Sequence, residues 1–217
     1  MVISYNKHEG DKVCSQYGGT GIIAREDIVH RITGTGRDGT VLGRWNWIQV
    51  QGRRGQLTRI VSGYRPQHST ELGSAYEQHK RYFKVNGGPR DPIKAFDEDL
   101  ARELNQWKED NEEVILGLDG NDDVRKGPLY DWSDSLGLTE AVCSRHGNRG
   151  PTTQQTNTRR KPIDGIWTTG LRHPTRAGYF AFGDGVQSDH RLVWADFDQH
   201  DLYGTHVPPR LTHRPED

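Results

Sequence analysis

The sequence has few cysteines and no long apolar run, and these absences exclude several classes of protein. Its 217 residues include two cysteines, Cys14 and Cys143, which are too few for a disulfide framework or a structural zinc site. No apolar stretch approaches the roughly 18–20 residues of a membrane-spanning helix, and the first residues lack the pattern of a secretory signal peptide. We therefore expect an intracellular protein with no membrane partner.

Apolar residues are also scarce, yet the chain carries enough aromatic side chains to fold. The apolar fraction is 31% and the mean hydropathy is −0.91, which is low for a globular protein. Six Trp, eight Tyr and five Phe can nevertheless bury a core, so intrinsic disorder is not expected. The length predicts one domain or part of a larger one. We place a single domain over residues 1–198 and a loose tail, broken by prolines, over residues 199–217.

The charges are almost balanced overall but are unevenly distributed along the chain. The net charge is −1, yet residues 91–123 hold twelve acidic residues against three basic ones. Residues 25–65 and 144–176 are basic. Arginine outnumbers lysine, which suits bidentate contacts with phosphate but equally fits a bias in codon composition. Two basic stretches around an acidic one would suit a phosphate substrate that meets a metal site.

The first third of the chain is predicted to be β-structure. Short apolar runs predict strands over 20–25, 27–33, 44–51 and 56–64, and the connection at 52–55 has the length of a hairpin turn. The segment Gly34–Gly39 spells GxGxxG, but a strand pattern follows it instead of a helix, so it is interpreted as a turn and not as a dinucleotide site. Trp45 and Trp47 are assigned to the core in preference to base stacking, because they lie in a predicted strand.

The middle of the chain alternates between helix and strand. A short helix is predicted over 74–83, and a longer one follows Asp91, a natural N-cap with Pro92 in the first turn. Its apolar residues recur at helical spacing. The apolar run 114–118 predicts a buried strand, and a helix followed by a buried strand indicates an α/β fold. A helix over 130–136 and strands over 163–168 and 191–197 complete the prediction.

Polar residues stand at or near the ends of three of these strands. They are Asp119 with Asn121, Asp164 inside an apolar strand, and Asp189-His190 before the last strand. Taken singly, they are open to other readings as a turn sequence, a satisfied buried carboxylate and a strand cap. Because strand ends converge at one edge of a sheet, these groups can meet in one site.

Four motifs in this order resemble those of the endonuclease/exonuclease/phosphatase superfamily, which contains DNase I-like nucleases and inositol polyphosphate phosphatases. The motifs are Gly63-Tyr-Arg-Pro66, Leu118-Asp-Gly-Asn121, Ile163-Asp-Gly-Ile166 and Ser188-Asp-His190. The resemblance implies an α/β (α+β) fold, a DNase I-like two-sheet β-sandwich flanked by helices. The family's first strand–helix–strand unit, which carries an Asn and a metal-binding Glu, has no counterpart here, and Glu9 follows no strand pattern. A weaker likeness points to the retroelement-associated branch.

The resemblance also implies roles for individual residues. Asp119 would hold or deprotonate the attacking water, and Asn121 would orient a phosphate oxygen. His190 would face the scissile phosphate as a cation, with Asp164 holding its ring and raising its pKa. Tyr64 would donate a hydrogen bond to the phosphate.

Asp189 together with Asp119 would ligate Mg²⁺ or Mn²⁺ through oxygen. Candidate contacts to backbone phosphates are Arg44, Arg65, Arg159 and Arg160, with Thr152 and Thr153 as further candidates; the arginines are equally compatible with ordinary surface charge. The expected function is a metal-dependent phosphodiester hydrolase, a DNA endonuclease that is nuclear if it derives from a retroelement. Two alternatives stay open: a catalytically inactive fragment that binds nucleic acid or is a relic, and a phosphatase for inositol phosphates or other small phosphate esters.

Overall fold

The computed structural model describes residues 1–5, 18–155, 160–170, 173–185 and 187–203. Within these ranges the strands are β1 Val2–Tyr5, β2 Gly19–Ile22, β3 Ile32–Arg37, β4 Trp45–Gln51, β5 Leu57–Tyr64, β6 Glu113–Asp119, β7 Thr139–Glu140, β8 Asp164–Thr168, β9 Arg176–Tyr179 and β10 Val193–Asp196. The α-helices are α1 Ala75–Val85, α2 Pro92–Glu109, α3 Pro128–Ser135, α4 Ala141–His146 and α5 Gln199–Tyr203. No helix in this described part has the length and apolar character needed to cross a membrane.

A six-stranded sheet in the order β3-β4-β5-β6-β8-β7 forms the centre of the fold. Strands β4 and β5 form the predicted hairpin, with Gln51 opposite Leu57. Strands β5 and β6 run parallel because helices α1 and α2 carry the chain back between them, whereas β8 is antiparallel to β6. The mixed α/β fold with a central sheet and flanking helices agrees with the sequence prediction.

Helix α2 covers one face of this sheet and forms the main core with it. Asp91 is the N-cap of this helix: its carboxylate accepts hydrogen bonds from the backbone N–H groups of Ile93 and Lys94, an arrangement that stabilises the first turn of a helix. Its apolar side chains pack against alternate strand residues that point to the same face. The buried members of this cluster include Trp45, Val61, Phe96, Leu100, Leu104, Trp107, Leu116, Leu118 and Trp167.

Two small sheets lie against the opposite face. Strands β1 and β2 pair with each other and contact β4 and β5, while β9 and β10 pair with each other and contact β8. The apolar contacts of the second small sheet include Ala177, Val193 and Ala195 packed with Ile166 of β8. A groove lies beside β2, over strands β5 and β6 in the middle of the central sheet.

The structure differs from three local predictions. The segment Gly34–Gly39 is not a turn, because residues 32–37 form the edge strand β3; at Gly36 a larger side chain would collide with the Trp47 ring, so this glycine permits close packing of two strands. The strand predicted over 27–33 begins at Ile32, after a 3₁₀ helix over Glu26–Arg31. The predicted tail starts with α5, whose Leu202 is buried, and residues 204–217 lie outside the described residues.

Candidate active site

Three of the predicted site residues lie side by side in a single row across the central sheet. In the register of the strands Tyr64 of β5 is opposite Asp119 of β6, and Asp119 is opposite Asp164 of β8. Neighbouring strands are about 4.8 Å apart, so hydrogen bonding of the sheet itself brings together groups that are 45 and 55 residues apart in sequence. The motifs meet at one edge of the sheet, as the strand-end argument predicted.

His190 is attached to this row through Asp164. The ring Nδ1 lies 2.9 Å from Oδ2 and 3.1 Å from Oδ1 of the Asp164 carboxylate. This hydrogen bond raises the pKa of His190 to about 9; burial opposes the shift, and the charges of Asp164 and Asp119 add to it. At neutral pH the imidazole is therefore a cation. Because Asp164 binds Nδ1, Nε2 is on the far side of the ring and remains for another partner.

The surroundings of Asp119 disfavour the ionised form of its carboxyl group. Burial, together with the nearby Asp164 charge, raises the pKa of Asp119 to about 7, although His190 opposes part of this shift. Two carboxylates near one another in a partly buried site do not easily both ionise. A carboxyl group with a pKa near the working pH can exchange a proton in either direction.

The turn after β6 holds Asn121 beside Tyr64. Asn121 has a positive φ of 51°, and its backbone N–H donates to Asp119 Oδ1 at 3.2 Å. Burial raises the pKa of Tyr64, the Asp119 charge adds to this, and a hydrogen bond with the Asn121 side chain opposes it. The phenol is therefore protonated at neutral pH and can donate a hydrogen bond.

Thr153 has a role that sequence reasoning missed. It is fully buried, so it cannot contact a phosphate as expected. Its Oγ1 accepts hydrogen bonds from the backbone N–H groups of Ile163 (2.8 Å) and Asp164 (3.2 Å), and its carbonyl accepts one from Arg191 N at 2.7 Å. Thr153 thus connects the Asp164 strand to the segment that carries His190. Its position in a loop of polar residues gave no signal of this.

The row opens into the groove beside β2. The groove has a volume of about 450 Å³. One wall is residues 19–21 of β2, the floor is formed by Ser62 and Gly117, and one end holds Tyr64, Asp119, Asp164 and His190. The side chains of the floor are small, so space for a ligand remains above the sheet.

Two carboxylates beside the imidazole form a cluster that could hold a metal ion. Ligand atoms of Asp119, Asp164 and His190 all lie within 4.8 Å of one another. Asp189 is exposed, and within the described part of the chain the cluster does not include it, although its charge raises the pKa of Asp119. Carboxylate oxygens suit Mg²⁺, which keeps several waters and needs only one or two protein carboxylates when a substrate phosphate completes the shell. The residues present fit such an ion.

The structure buries two of the predicted phosphate-binding arginines and leaves a third exposed. Arg44 is buried, with its guanidinium in ion pairs to Asp38 at 3.0 Å and Asp99 at 2.9 Å, so its predicted contact with phosphate is corrected to a role in the core. Arg65 is also buried and pairs with Asp97 at 2.7 Å, so its charge is already neutralised by a partner within the protein. Arg160 is exposed, and Arg159 lies outside the described residues.

Comparison with known proteins shows the fold at low sequence identity. No family model matches the sequence, and no curated protein matches it. A 3′ phosphatase, NExo from Neisseria, solved with a product DNA hairpin, is similar with a TM-score of 0.50 and 16% identity over 72% of this chain and 65% of that one.

Two further solved structures are endonuclease/exonuclease/phosphatase family proteins. The one from Bacteroides vulgatus has a TM-score of 0.49 and 14% identity over 71% of this chain and 55% of its own. The one from Leptotrichia buccalis has a TM-score of 0.47 and 16% identity over 71% and 52%. This chain spans about half to two thirds of the length of these structures, and its fold is similar to that of the 3′ phosphatase from Neisseria.

Proposed function

We propose that this chain is the core of a metal-dependent phosphodiester hydrolase that acts on DNA in the manner of an endonuclease. The observation that carries the proposal is the row of Tyr64, Asp119 and Asp164 at the end of an open groove, with His190 bound to Asp164. An acid of raised pKa, a cationic imidazole and a neutral phenol within one row are the groups that hydrolysis of a phosphate ester needs.

The geometry supports a division of labour between these groups. Asp119, with a pKa of about 7, would accept the proton of an attacking water. His190, with a pKa of about 9, would present a charged Nε2–H to a phosphate oxygen, and Asp164 would fix the ring. Tyr64 would donate its hydroxyl proton in a hydrogen bond to the same phosphate.

A divalent ion would be held by Asp119, with Asp189 assigned to it by the family resemblance. Such an ion supplies charge neutralisation at the phosphate and lowers the pKa of bound water. Its presence would also favour the ionised form of Asp119, whose negative charge the protein alone compensates poorly.

The surface beside the site favours a polymeric anion over a small phosphate ester. The loop after Asp119 is held against two other loops: Lys161 Nζ lies 2.7 Å from Asp122 Oδ1, and Arg125 Nη1 donates to the carbonyl oxygens of Asn148 and Gly150. We call the joined surface of residues 121–126, 147–150 and 160–161 the basic flank.

The acidic side chains of the basic flank are already neutralised within it. Asp122 pairs with Lys161 and Asp123 pairs with Arg125. Lys126, Arg149 and Arg160 are exposed, and none of the three makes an ion pair within the part of the chain that is described. Three spare cations beside the site suit a chain of phosphates more than a single one. The DNA product bound to the similar Neisseria protein supports the same choice of substrate class.

One observation favours the alternative of an inactive nucleic-acid-binding domain. Only two carboxylates, Asp119 and Asp164, lie in the metal-ligating cluster among the described residues, and Asp164 already binds His190. Few protein ligands make a weak Mg²⁺ site. A domain that binds DNA through the basic flank without cutting it is the second candidate.

Nicking of supercoiled plasmid by the purified chain, in Mg²⁺ and in EDTA, separates the two candidates. We expect nicking that requires Mg²⁺ and that His190→Ala abolishes. His200→Ala is the matched control, because His200 is exposed on α5, which packs near the hairpin at the opposite end of β5. Plasmid binding without nicking, in protein shown to be folded, would instead establish the inactive domain.

A further inference from the structure

We infer that Arg65 is a positioning residue that sets the orientation of Asp119 and Asn121 by clamping their turn to helix α2, an inference that rests on the proposed function. Arg65 directly follows Tyr64 at the end of β5, and its side chain is 5% exposed. The turn it contacts is Asp119-Gly120-Asn121, which carries two of the proposed catalytic groups.

Arg65 makes a hydrogen bond to each of the three residues of the turn. Its backbone N–H donates to the Asp119 carbonyl at 2.9 Å. Its guanidinium Nη1 donates to the Gly120 carbonyl at 3.3 Å. Its own carbonyl accepts a hydrogen bond from Asn121 Nδ2 at 2.7 Å, so the amide of Asn121 cannot rotate without losing this partner.

The other edge of the guanidinium is anchored on α2. Nε and Nη2 bind the two oxygens of Asp97 at 2.7 and 2.8 Å, the bidentate geometry in which arginine is most specific. The Asp97 carbonyl in turn accepts a hydrogen bond from Trp132 Nε1 at 3.0 Å. The position of the turn is thereby tied to a helix of the main core, and not only to the strand that precedes it.

The turn needs such support because its backbone is unfavourable by itself. Asn121 has φ of 51°, a left-handed conformation that most residues adopt only at a cost. At Gly120, a larger side chain would collide with Leu129, so the turn is packed closely from below. A small rotation here would move the Asp119 carboxylate and the Asn121 amide together, and displacements of about 1 Å can reduce catalysis by about 100-fold.

The test compares Arg65→Lys with a matched control in the preceding strand β5. Arg59 of β5 is another largely buried arginine, bound to Glu112 through Nε at 2.5 Å and Nη2 at 3.0 Å, about 20 Å from Arg65 along the chain direction of the strand. Lysine keeps the charge at either position but cannot form the fork. Both variants lose one buried bidentate pair, so a merely structural role predicts similar results for both.

For plasmid nicking in Mg²⁺, we expect Arg65→Lys to lower kcat by about 10–100-fold with KM within about twofold, and Arg59→Lys to leave both constants near those of the wild type. Equal kcat in the two variants would overturn the inference. If Arg65→Lys does not fold, Asp97→Asn, which removes the charge of the anchor but keeps its shape, is compared with Glu112→Gln in the same way.

A second readout does not depend on activity. Hydrogen exchange of the backbone amides of residues 119–121 reports the local opening of the turn. We expect at least about tenfold faster exchange there in Arg65→Lys than in Arg59→Lys, with matched exchange across α2. Absence of this difference would overturn the clamp even in a protein that cuts DNA. A wild type that does not nick plasmid would instead count against the proposed function and leave the exchange result to decide the clamp.

Discussion

Two clusters of carboxylates in the molecule show opposite pKa shifts. Around Arg44, Asp99 accepts hydrogen bonds from three arginines; burial alone would raise its pKa, but the hydrogen bonds from Arg90, Arg44 and Arg102 hold it below the ordinary value. At the end of the groove, burial raises the pKa of Asp119 to about 7, with one imidazolium shared between two carboxylates.

The difference shows which cluster is neutralised within the protein and which one needs a ligand for its neutralisation. The cluster around Arg44 is compensated within the protein, so nothing further is needed there. The site is under-compensated, and a cation or a water that loses its proton would relieve it. The functional cluster differs from the structural one because its negative charge is incompletely compensated and lies in an open groove. Burial of an acidic group alone does not distinguish the two.

Neutralising one acid from each cluster should give the largest contrast. Asp119→Asn removes the proposed proton acceptor, and we expect plasmid nicking to fall by about 100–10,000-fold. Asp99→Asn should leave nicking within about twofold, because Asp99 lies in the cluster around Arg44 and not in the row. Rates are compared at equal concentrations of folded protein, and similar losses in both variants would remove the distinction between the clusters.

Removing the cation should break the structural cluster. Arg44→Met leaves Asp38 buried without its ion-pair partner, so we expect the free energy of unfolding to fall by about 3–5 kcal/mol. Urea denaturation at pH 7 measures this. Arg102→Met is the control, because the Arg102 side chain is 73% exposed and exposed pairs contribute about 0–1 kcal/mol. A loss for Arg44→Met no larger than that of the control would contradict the assignment.

The pH dependence of stability should have opposite signs in the two clusters. Asp99, with a lowered pKa, stabilises the protein above the pKa of the unfolded chain, and this contribution is lost as the pH falls through the folded pKa. Asp119 binds a proton in the folded state up to a pH of about 7, so stability falls as the pH rises from about 4 to 7. The His190 contribution is complete below its ordinary pKa of 6.5 and is lost as the pH rises through about 9.

Asp119→Asn isolates the contribution of Asp119 to the pH dependence of stability. The variant should lose less stability than the wild type between pH 5 and pH 8, as measured by urea denaturation at each pH. Mg²⁺ should raise the melting temperature of the wild type more at pH 8 than at pH 5, and this gain should vanish in the variant. An identical dependence on pH in both proteins would show that Asp119 titrates normally.

Exposed cations give the smallest effect. Arg160→Gln should reduce the slope of log K against log salt for DNA binding by about 1, the loss of one phosphate contact. Arg54→Gln should leave the slope unchanged. The two arginines are well matched, since both are exposed and have positive φ, 49° and 56°, but Arg54 lies at the far hairpin of β5. Equal slopes would remove Arg160 from the DNA-binding surface.

Sequence patterns predicted the parts of this fold that depend on neighbours along the chain. The hairpin at 52–55 and the capped helix α2 are local, and the strand ends that carry Asp119 and Asp164 follow from apolar runs. What was missed depends on contacts distant in sequence. The strand character of residues 32–37 comes from pairing with β4, and the buried position of Thr153 comes from Ile163 and Arg191.

The arginines show the same limit in another form. A sequence indicates that Arg44 and Arg65 are basic, but only the packing of α2 against the sheet shows that their charges face Asp99 and Asp97. Arg160 was assigned by the same reasoning and is exposed. These arginines differ in burial, and the sequence alone does not show whether a single polar residue is buried.

The row of Tyr64, Asp119 and Asp164 has a consequence for how this site can vary. Successive residues of a strand face opposite sides of the sheet, so a slip of one residue in β6 would move the Asp119 carboxylate to the side of the core. Insertions within β5, β6 or β8 should therefore abolish the arrangement outright, whereas the loops at 122–126 and 147–150 can change in length and composition without altering it. The register of the sheet therefore fixes the positions of the catalytic groups, whereas changes in the loops can alter the substrate preference.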